Sequence, residues 1–310
     1  MGKYANIMLD DWFKRAFSGS ENGKKLLSLF LQELIPERKI VSLTYEPQEN
    51  INPFPGKKDV RVDVECTDAD GSRFVVEMQV TPQNWFYERA LYYSSFSLMK
   101  QMDKGIREYD FPPVYFIGLM NFSLHEGTDQ VLYRYSLRED SSGERMTDRL
   151  HYIFLELPNC KKALSKDATT LDNFCYAMSQ MENLTSRPAA LKSEMFNLLF
   201  DSADFSKFTA EEKIKYDKDM TTERDRANQL DYAKQLGLQL GMQQGMQQGI
   251  QQGMQQGMQQ GMQQGMQLGE EKAMRRVVEN MLRKKMSLES ISELSGLSID
   301  SIKQLQSDKV

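Results

Sequence analysis

Two β-rich runs joined by the turn Asp68-Ala69-Asp70-Gly71 constrain this chain more than any other feature of its 310 residues. From Lys58 to Thr67 apolar and polar residues alternate with the period of two of a half-buried strand. Val60, Val62, Val64 and Cys66 take one face, and Arg61, Asp63 and Glu65 the other. From Ser72 to Val80 the alternation repeats, with Phe74, Val76, Met78 and Val80 on one face and Glu77 and Gln79 on the opposite one. An Asp/Gly turn between such runs predicts a hairpin. Centred on Asp70, the hairpin sets Asp63 opposite Glu77, with facing Cβ atoms about 4.5–5.5 Å apart. Gln79 follows on the same face, about 7 Å further along. Two carboxylates this close repel and raise each other's pKa unless a cation lies between them. Mg²⁺ is commonly held by one or two carboxylates plus water and substrate phosphate. The alternative is an acidic pair on a solvated strand face, a common place for Asp and Glu.

The surrounding sequence narrows that choice. Asp63 followed by Glu77-Met78-Gln79 looks like the active-site pattern of the PD-(D/E)XK nuclease superfamily, with Gln where Lys is usual. The runs 10–14 (Asp-Asp-Trp-Phe-Lys), 24–34, 88–93, 105–109 and 113–119 resemble one branch in their order. That branch is the Rpn/YhgA-like group, the recombination-promoting nucleases or PD-(D/E)XK transposases of bacteria. The resemblance spans roughly residues 1–200. It implies an α/β (α+β) fold with a restriction-endonuclease-like mixed sheet flanked by helices. It also implies DNA as substrate, and Asp63 and Glu77 as ligands of Mg²⁺ or Mn²⁺, with the main-chain carbonyl of Met78 as a third. Gln79 then stands where Lys orients the attacking water. Lys brings positive charge to the developing phosphorane, whereas Gln offers only neutral donors and acceptors, so a slow endodeoxyribonuclease is expected. Glu33 matches the place where many members carry an additional acid. Its alternative is a solvated Glu near the end of an amphipathic helix.

Net charge is −5, and residues 1–120 carry 15 Lys/Arg against 17 Asp/Glu. Phosphate neutralisation, the main source of nucleic-acid affinity, is therefore weak. Lys57, Lys58, Arg61 and Arg89 are the basic residues nearest the hairpin. Trp85, Phe86 and Tyr87 either stack on bases or open a helix as core. Three cysteines without a CxxC pair argue against a disulfide framework or zinc site and for a reducing compartment. His125 and His151 are the only histidines and lack a Ser or Cys partner pattern, so both read as structural and nucleophilic hydrolase chemistry is disfavoured. No apolar run approaches the ~18 residues of a membrane span, and no signal-peptide core follows Met1. The expected location is the cytoplasm, with no membrane partner.

Four segments follow one another. Residues 1–157, the nuclease-like core, alternate helix and strand. A helix is expected near 22–35, a strand near 40–46, then the hairpin. A helix near 84–105 follows, with apolar positions at Leu91, Phe96, Leu98, Met99 and Met102, and then strands near 113–120 and 150–157. Residues 158–234 read as a helical subdomain with no visible chemistry. Residues 235–270 are a Gly-Met-Gln-Gln array, with Gly at every fourth position from Gly241 to Gly269 and no charge from Gln235 to Gly269. Each interior Gly costs a helix about 1 kcal/mol against Ala, and a repeat of four winds about 40° per unit around a helix of 3.6 residues per turn. The array is therefore expected to be a spacer, weakly helical or helical only when paired. Residues 271–310 carry a basic amphipathic helix and two short helices opened by Ser287 and Ser298 around Gly296, a helix-turn-helix-like cap. It either touches DNA, through Lys303, Gln304 and Gln306, or binds protein and makes a homo-oligomer.

Two function classes survive. One is a metal-dependent DNA endonuclease promoting DNA breakage and recombination or mobile-element movement. The other is a catalytically degenerate nuclease fold serving as a protein- or DNA-binding regulatory module. The opposed carboxylates favour the first, and the acidic surface and missing Lys favour the second.

Overall fold

Gly71 closes the turn with φ +85°, and a Cβ there would lie 2.8 Å from Pro112 Cγ, so glycine is required twice over. The structure, a computed structural model, describes residues 2–46, 61–102 and 109–307. The turn joins β2 (Val64–Thr67) to β3 (Arg73–Gln79), which pair antiparallel with Val64 opposite Val76. That register continues to Asp63 opposite Glu77, as expected. The long first strand is not observed. Strand pairing begins at Val64, and Val62 packs with Val75 and Phe86 on the opposite side of the sheet from Val64. Val60 lies outside the described residues.

The hairpin is extended on both sides. β1 (Thr44–Tyr45) pairs antiparallel with β2, while β4 (Val114–Met120) and β6 (Leu150–Glu156) run parallel to β3. β5 (Leu132–Ser136), which the sequence pattern did not predict, is a half-exposed edge strand antiparallel to β6. Among the described residues the strand order is β1-β2-β3-β4-β6-β5, a mixed sheet. Both faces are covered. α1 (Asp10–Ser18), α2 (Glu21–Leu34), α4 (Thr170–Gln180) and α5 (Glu194–Ala203) share one apolar core with Val64, Phe74, Val76, Tyr115 and Ile153. This core does not close at residue 157, because Phe174, Leu199 and Phe200 lie inside it. Ser20 caps α2 by accepting from Gly23 N at 3.1 Å, and Thr169 with Asp172 forms a reciprocal capping box on α4.

α3 (Phe86–Met99) covers the other face with an unexpected side of itself. Leu91 and Met99, expected in the core, are exposed, while Ala90, Tyr93, Ser94 and Ser97 are buried. The sheet below is aromatic, with Phe116, Tyr152 and Phe154, so small helix residues fit against large ones. Ser94 Oγ meets Tyr152 OH at 3.0 Å, and Ser97 Oγ donates to Glu65 Oε1 at 2.7 Å. Trp85, Phe86 and Tyr87 divide. Phe86 is core, whereas Trp85 is 75% and Tyr87 46% exposed.

α6 runs unbroken from Ala210 to Arg283. The glycine array is thus helical throughout, where a spacer weakly helical or helical only when paired was expected. Met, Gln and Leu outnumber the glycines and favour helix strongly enough to carry them. The chain divides into two compact units, Met1–Met220 and Thr221–Val310. In the second, Val278 of α6, Ile291 of α7 (Leu288–Ser295) and Ile302 of α8 (Ile299–Ser307) form a small core. Ser287 caps α7, and Gly296 ends it at φ +72°. No helix of the described residues is long and apolar enough to cross a membrane.

Candidate active site

The site lies where β2 begins and β3 ends. The next ladder partner of Met78 would be residue 62, but the Met78 N–H donates instead to Asp63 Oδ2 at 2.7 Å. The Asp63 N–H donates in turn to Glu77 Oε1 at 3.2 Å. This exchange explains the bend before β2: the Asp63 side chain takes the ladder position that the preceding backbone would hold. A strand residue turns its N–H and C=O to the same neighbour, so the Met78 carbonyl also faces the Asp63 side. Gln79 Nε2 donates to Glu77 Oε2 at 3.2 Å, and Arg89 of α3 reaches the same oxygen at 3.2 Å. Glu77 is 1% exposed beneath α3.

α1 supplies the rest. Lys14 Nζ stands 3.5 Å from Asp63 Oδ1 and 2.7 Å from Asp10 Oδ1, and Asp10 shares a hydrogen bond with Asp63. Burial is the main force raising the Asp63 carboxyl to about 7, with Asp10 adding to it against the Met78 amide and Lys14. Burial likewise raises Glu77 to about 8; the Asp63 charge adds to this, and Arg89 opposes it. Burial would raise Asp10 too, but its bonds to Lys14 and Asp63 hold it below the ordinary range. Asp63 and Glu77 are therefore buried acids with less positive charge around them than two carboxylates need.

That deficit is what a divalent cation would fill. Among the described residues no group of three or more acid, His or Cys side chains forms a ready-made cage. A Mg²⁺-type ion does not need one, since one or two carboxylates plus water and phosphate suffice. Asp63, Glu77 and the Met78 carbonyl fit such a donor set. Glu65, on the same hairpin, differs: Lys100 at 3.0 Å and Ser97 at 2.7 Å already satisfy it.

The other sequence candidates separate. Glu33 is exposed on α2, and no bond among the described residues joins it to the site. The acid that stands beside Asp63 is Asp10. Its signal was the spacing to Lys14, an acid and a base one helical turn apart at the start of the 10–14 run. Arg61 is exposed, and Lys57, Lys58 and the run 105–108 lie outside the described residues. His125 and His151 stand apart, His125 on buried Glu156 at 2.6 Å and His151 stacked on Tyr115 at 4.4 Å.

A family model described as PD-(D/E)XK nuclease family transposase matches residues 7–233. No curated protein and no solved structure matches the chain significantly. The family model takes in the hairpin, both carboxylates, Gln79 and the acid and lysine of α1. Matched over more than half its length, the chain belongs to the PD-(D/E)XK nuclease family transposases.

Proposed function

We propose that the protein is a divalent-metal-dependent DNA endonuclease, slow in turnover, whose strand breakage promotes recombination or mobile-element movement. The observation that carries this reading is the buried, cross-bonded pair Asp63 and Glu77, short of positive charge at the end of β3. A bound Mg²⁺ or Mn²⁺ would neutralise phosphate charge and lower the pKa of a water. Asp63, Glu77 and the Met78 carbonyl hold the ion in this reading. Gln79 fixes the Glu77 carboxylate and offers its amide to the attacking water, without the charge of a Lys. Lys14, close to Asp63, supplies part of that charge from α1. Trp85 and Tyr87, exposed at the start of α3, offer rings on which bases stack, each such contact being worth about 1–3 kcal/mol. A homo-oligomer through the C-terminal region belongs to the same reading, since Met242, Met246, Ile250 and Met254 are all exposed on α6.

One observation favours the regulatory alternative: both Glu77 oxygens already accept bonds, from Asp63 N, Gln79 and Arg89. Plasmid nicking under Mg²⁺ and Mn²⁺ titration separates the two. Wild type should nick with saturable metal dependence, and Asp63→Ala and Glu77→Ala should lose activity by orders of magnitude. Nicking by either variant at the wild-type rate, at matched metal, would sink the endonuclease reading.

A further inference from the structure

A second charged site lies at the other end of the same strands. Between the loop after α2, the start of β4, the β5–β6 edge and the hairpin beyond β5 is a cavity of about 590 Å³. Four arginines line it, Arg38, Arg134, Arg138 and Arg145. Tyr115 and His151 sit in register here, whereas Glu77 of the carboxylate site pairs with Gly118 of the same strand β4. Three residues of strand separate the rows, about 10 Å at 3.3 Å per residue, and no residue of the carboxylate site lines the cavity. The cavity is therefore not part of the carboxylate site.

Its charges do not balance. Arg134 is held by Glu37 at 2.7 Å, Arg145 by Asp148, and Arg38 by Asp70 and by Tyr115 OH at 3.2 Å. Three carboxylates thus meet four guanidinium groups. Among the described residues Arg138 bonds only neutral oxygens, Ser136 Oγ at 3.0 Å and the Gly143 carbonyl at 2.7 Å. Arg138 and Arg145 also face each other as a β-bridge pair, and like charges directly opposed cost stability. Arg38 Nε is buried without a hydrogen-bond partner. The unmatched charge and the two opposed arginines are both relieved by one anion, and guanidinium forks suit phosphate oxygens. The volume falls in the range of small-molecule sites, about 300–1,000 Å³, and exceeds what one phosphate fills. The stacked Tyr115 and His151 rings, 4.4 Å apart, line the remainder.

We propose that this cavity binds a nucleoside phosphate, with the phosphate on Arg138, Arg145 and Arg38 and the base against the aromatic wall. The test is calorimetry on the full chain with adenosine 5′-monophosphate, inorganic phosphate, adenosine and a short single-stranded oligonucleotide. Arg138→Gln and Arg145→Gln, both exposed positions, are compared with wild type and with Asp63→Ala. The monophosphate should bind saturably, more tightly than inorganic phosphate, and adenosine should not bind. Each arginine variant should weaken binding about tenfold, the size of one charge-assisted hydrogen bond, and Asp63→Ala should leave it unchanged. No saturable binding, or binding indifferent to both arginine variants, overturns the proposal. Inorganic phosphate binding as tightly as the nucleotide, or only the oligonucleotide binding, overturns it as well, in favour of a simple anion site or a strand-backbone contact.

Discussion

Burial governs how Asp63 and Glu77 titrate, and that has a measurable consequence. Both carboxyls are raised above the ordinary range, Asp63 to about 7 and Glu77 to about 8, so between about 4.5 and 8 the folded protein holds protons that the unfolded chain has released. The folded state binds more protons there, so this contribution to stability is present below the unfolded pKa and is lost as pH rises toward 8. The metal-free protein should melt at progressively lower temperature from pH 5 to pH 8. Glu77→Gln, which cannot ionise, should show a flatter curve and gain on wild type at the alkaline end. Scanning calorimetry in chelator measures both, and parallel curves would show that Glu77 is not a buried acid of raised pKa. At this scale the opposed acids were legible because strand alternation and a turn fix a register. Asp10 and Lys14 were not, since an acid and a lysine one turn apart on a helix look like any solvated surface pair until α1 is docked beside Asp63. Glu33 is exposed on α2, and a helix position near the right place in sequence says nothing about which way the side chain faces.

Elements whose pattern reflects a single neighbour were the readable ones. β4 is buried along its whole length between two covered faces, and its unbroken apolar run announced this. α3 was misread because its buried face was chosen by what lies beneath it. An aromatic sheet selects Ala90, Ser94 and Ser97, and leaves Leu91 and Met99 to solvent. β5 is a short, half-exposed edge strand whose weak alternation resembles a loop. In α6 the helix-forming residues prevail over the glycines, and a Cβ added at any glycine from Gly237 to Gly269 meets nothing within 4 Å. Gly253→Ala and Gly257→Ala should therefore stabilise the helix by about 1 kcal/mol each. Helical ellipticity should rise, and melting of the C-terminal unit should shift upward without loss of solubility. Lower helicity, or a lower melting temperature, would mean that these positions pack closely against another chain, where only hydrogen fits.

Over the whole molecule, the first unit depends on the opening turns of α6. Trp12 is 3% exposed, stacked on Phe208 at 4.8 Å and met edge-on by Tyr216 at 5.3 Å. Tyr216 OH accepts from Asn6 N at 2.7 Å, Trp12 Nε1 donates to Asp219 at 3.1 Å, and Arg15 pairs with Glu212 at 2.8 Å. These contacts hold α1, and α1 carries Asp10 and Lys14 against Asp63, so the start of a helix far along the chain steadies the candidate site. The boundary between compact units falls after Met220, beyond all of these residues. A fragment ending at Arg226 should keep the melting temperature of the first unit within a few degrees. A fragment ending at Thr209 lacks Tyr216 and the three polar ties, and should lose about 3–5 kcal/mol, the cost of removing a large buried aromatic. The two tryptophans provide an independent reading, because Trp85 is already 75% exposed and only Trp12 can change. The emission of the shorter fragment should shift to longer wavelength, and its rise in the Asp63 carboxyl pKa should shrink as α1 loosens and water enters. Equal melting temperatures and identical emission for the two fragments would show that α1 stands without α6, and the path from the long helix to the site would have to be abandoned.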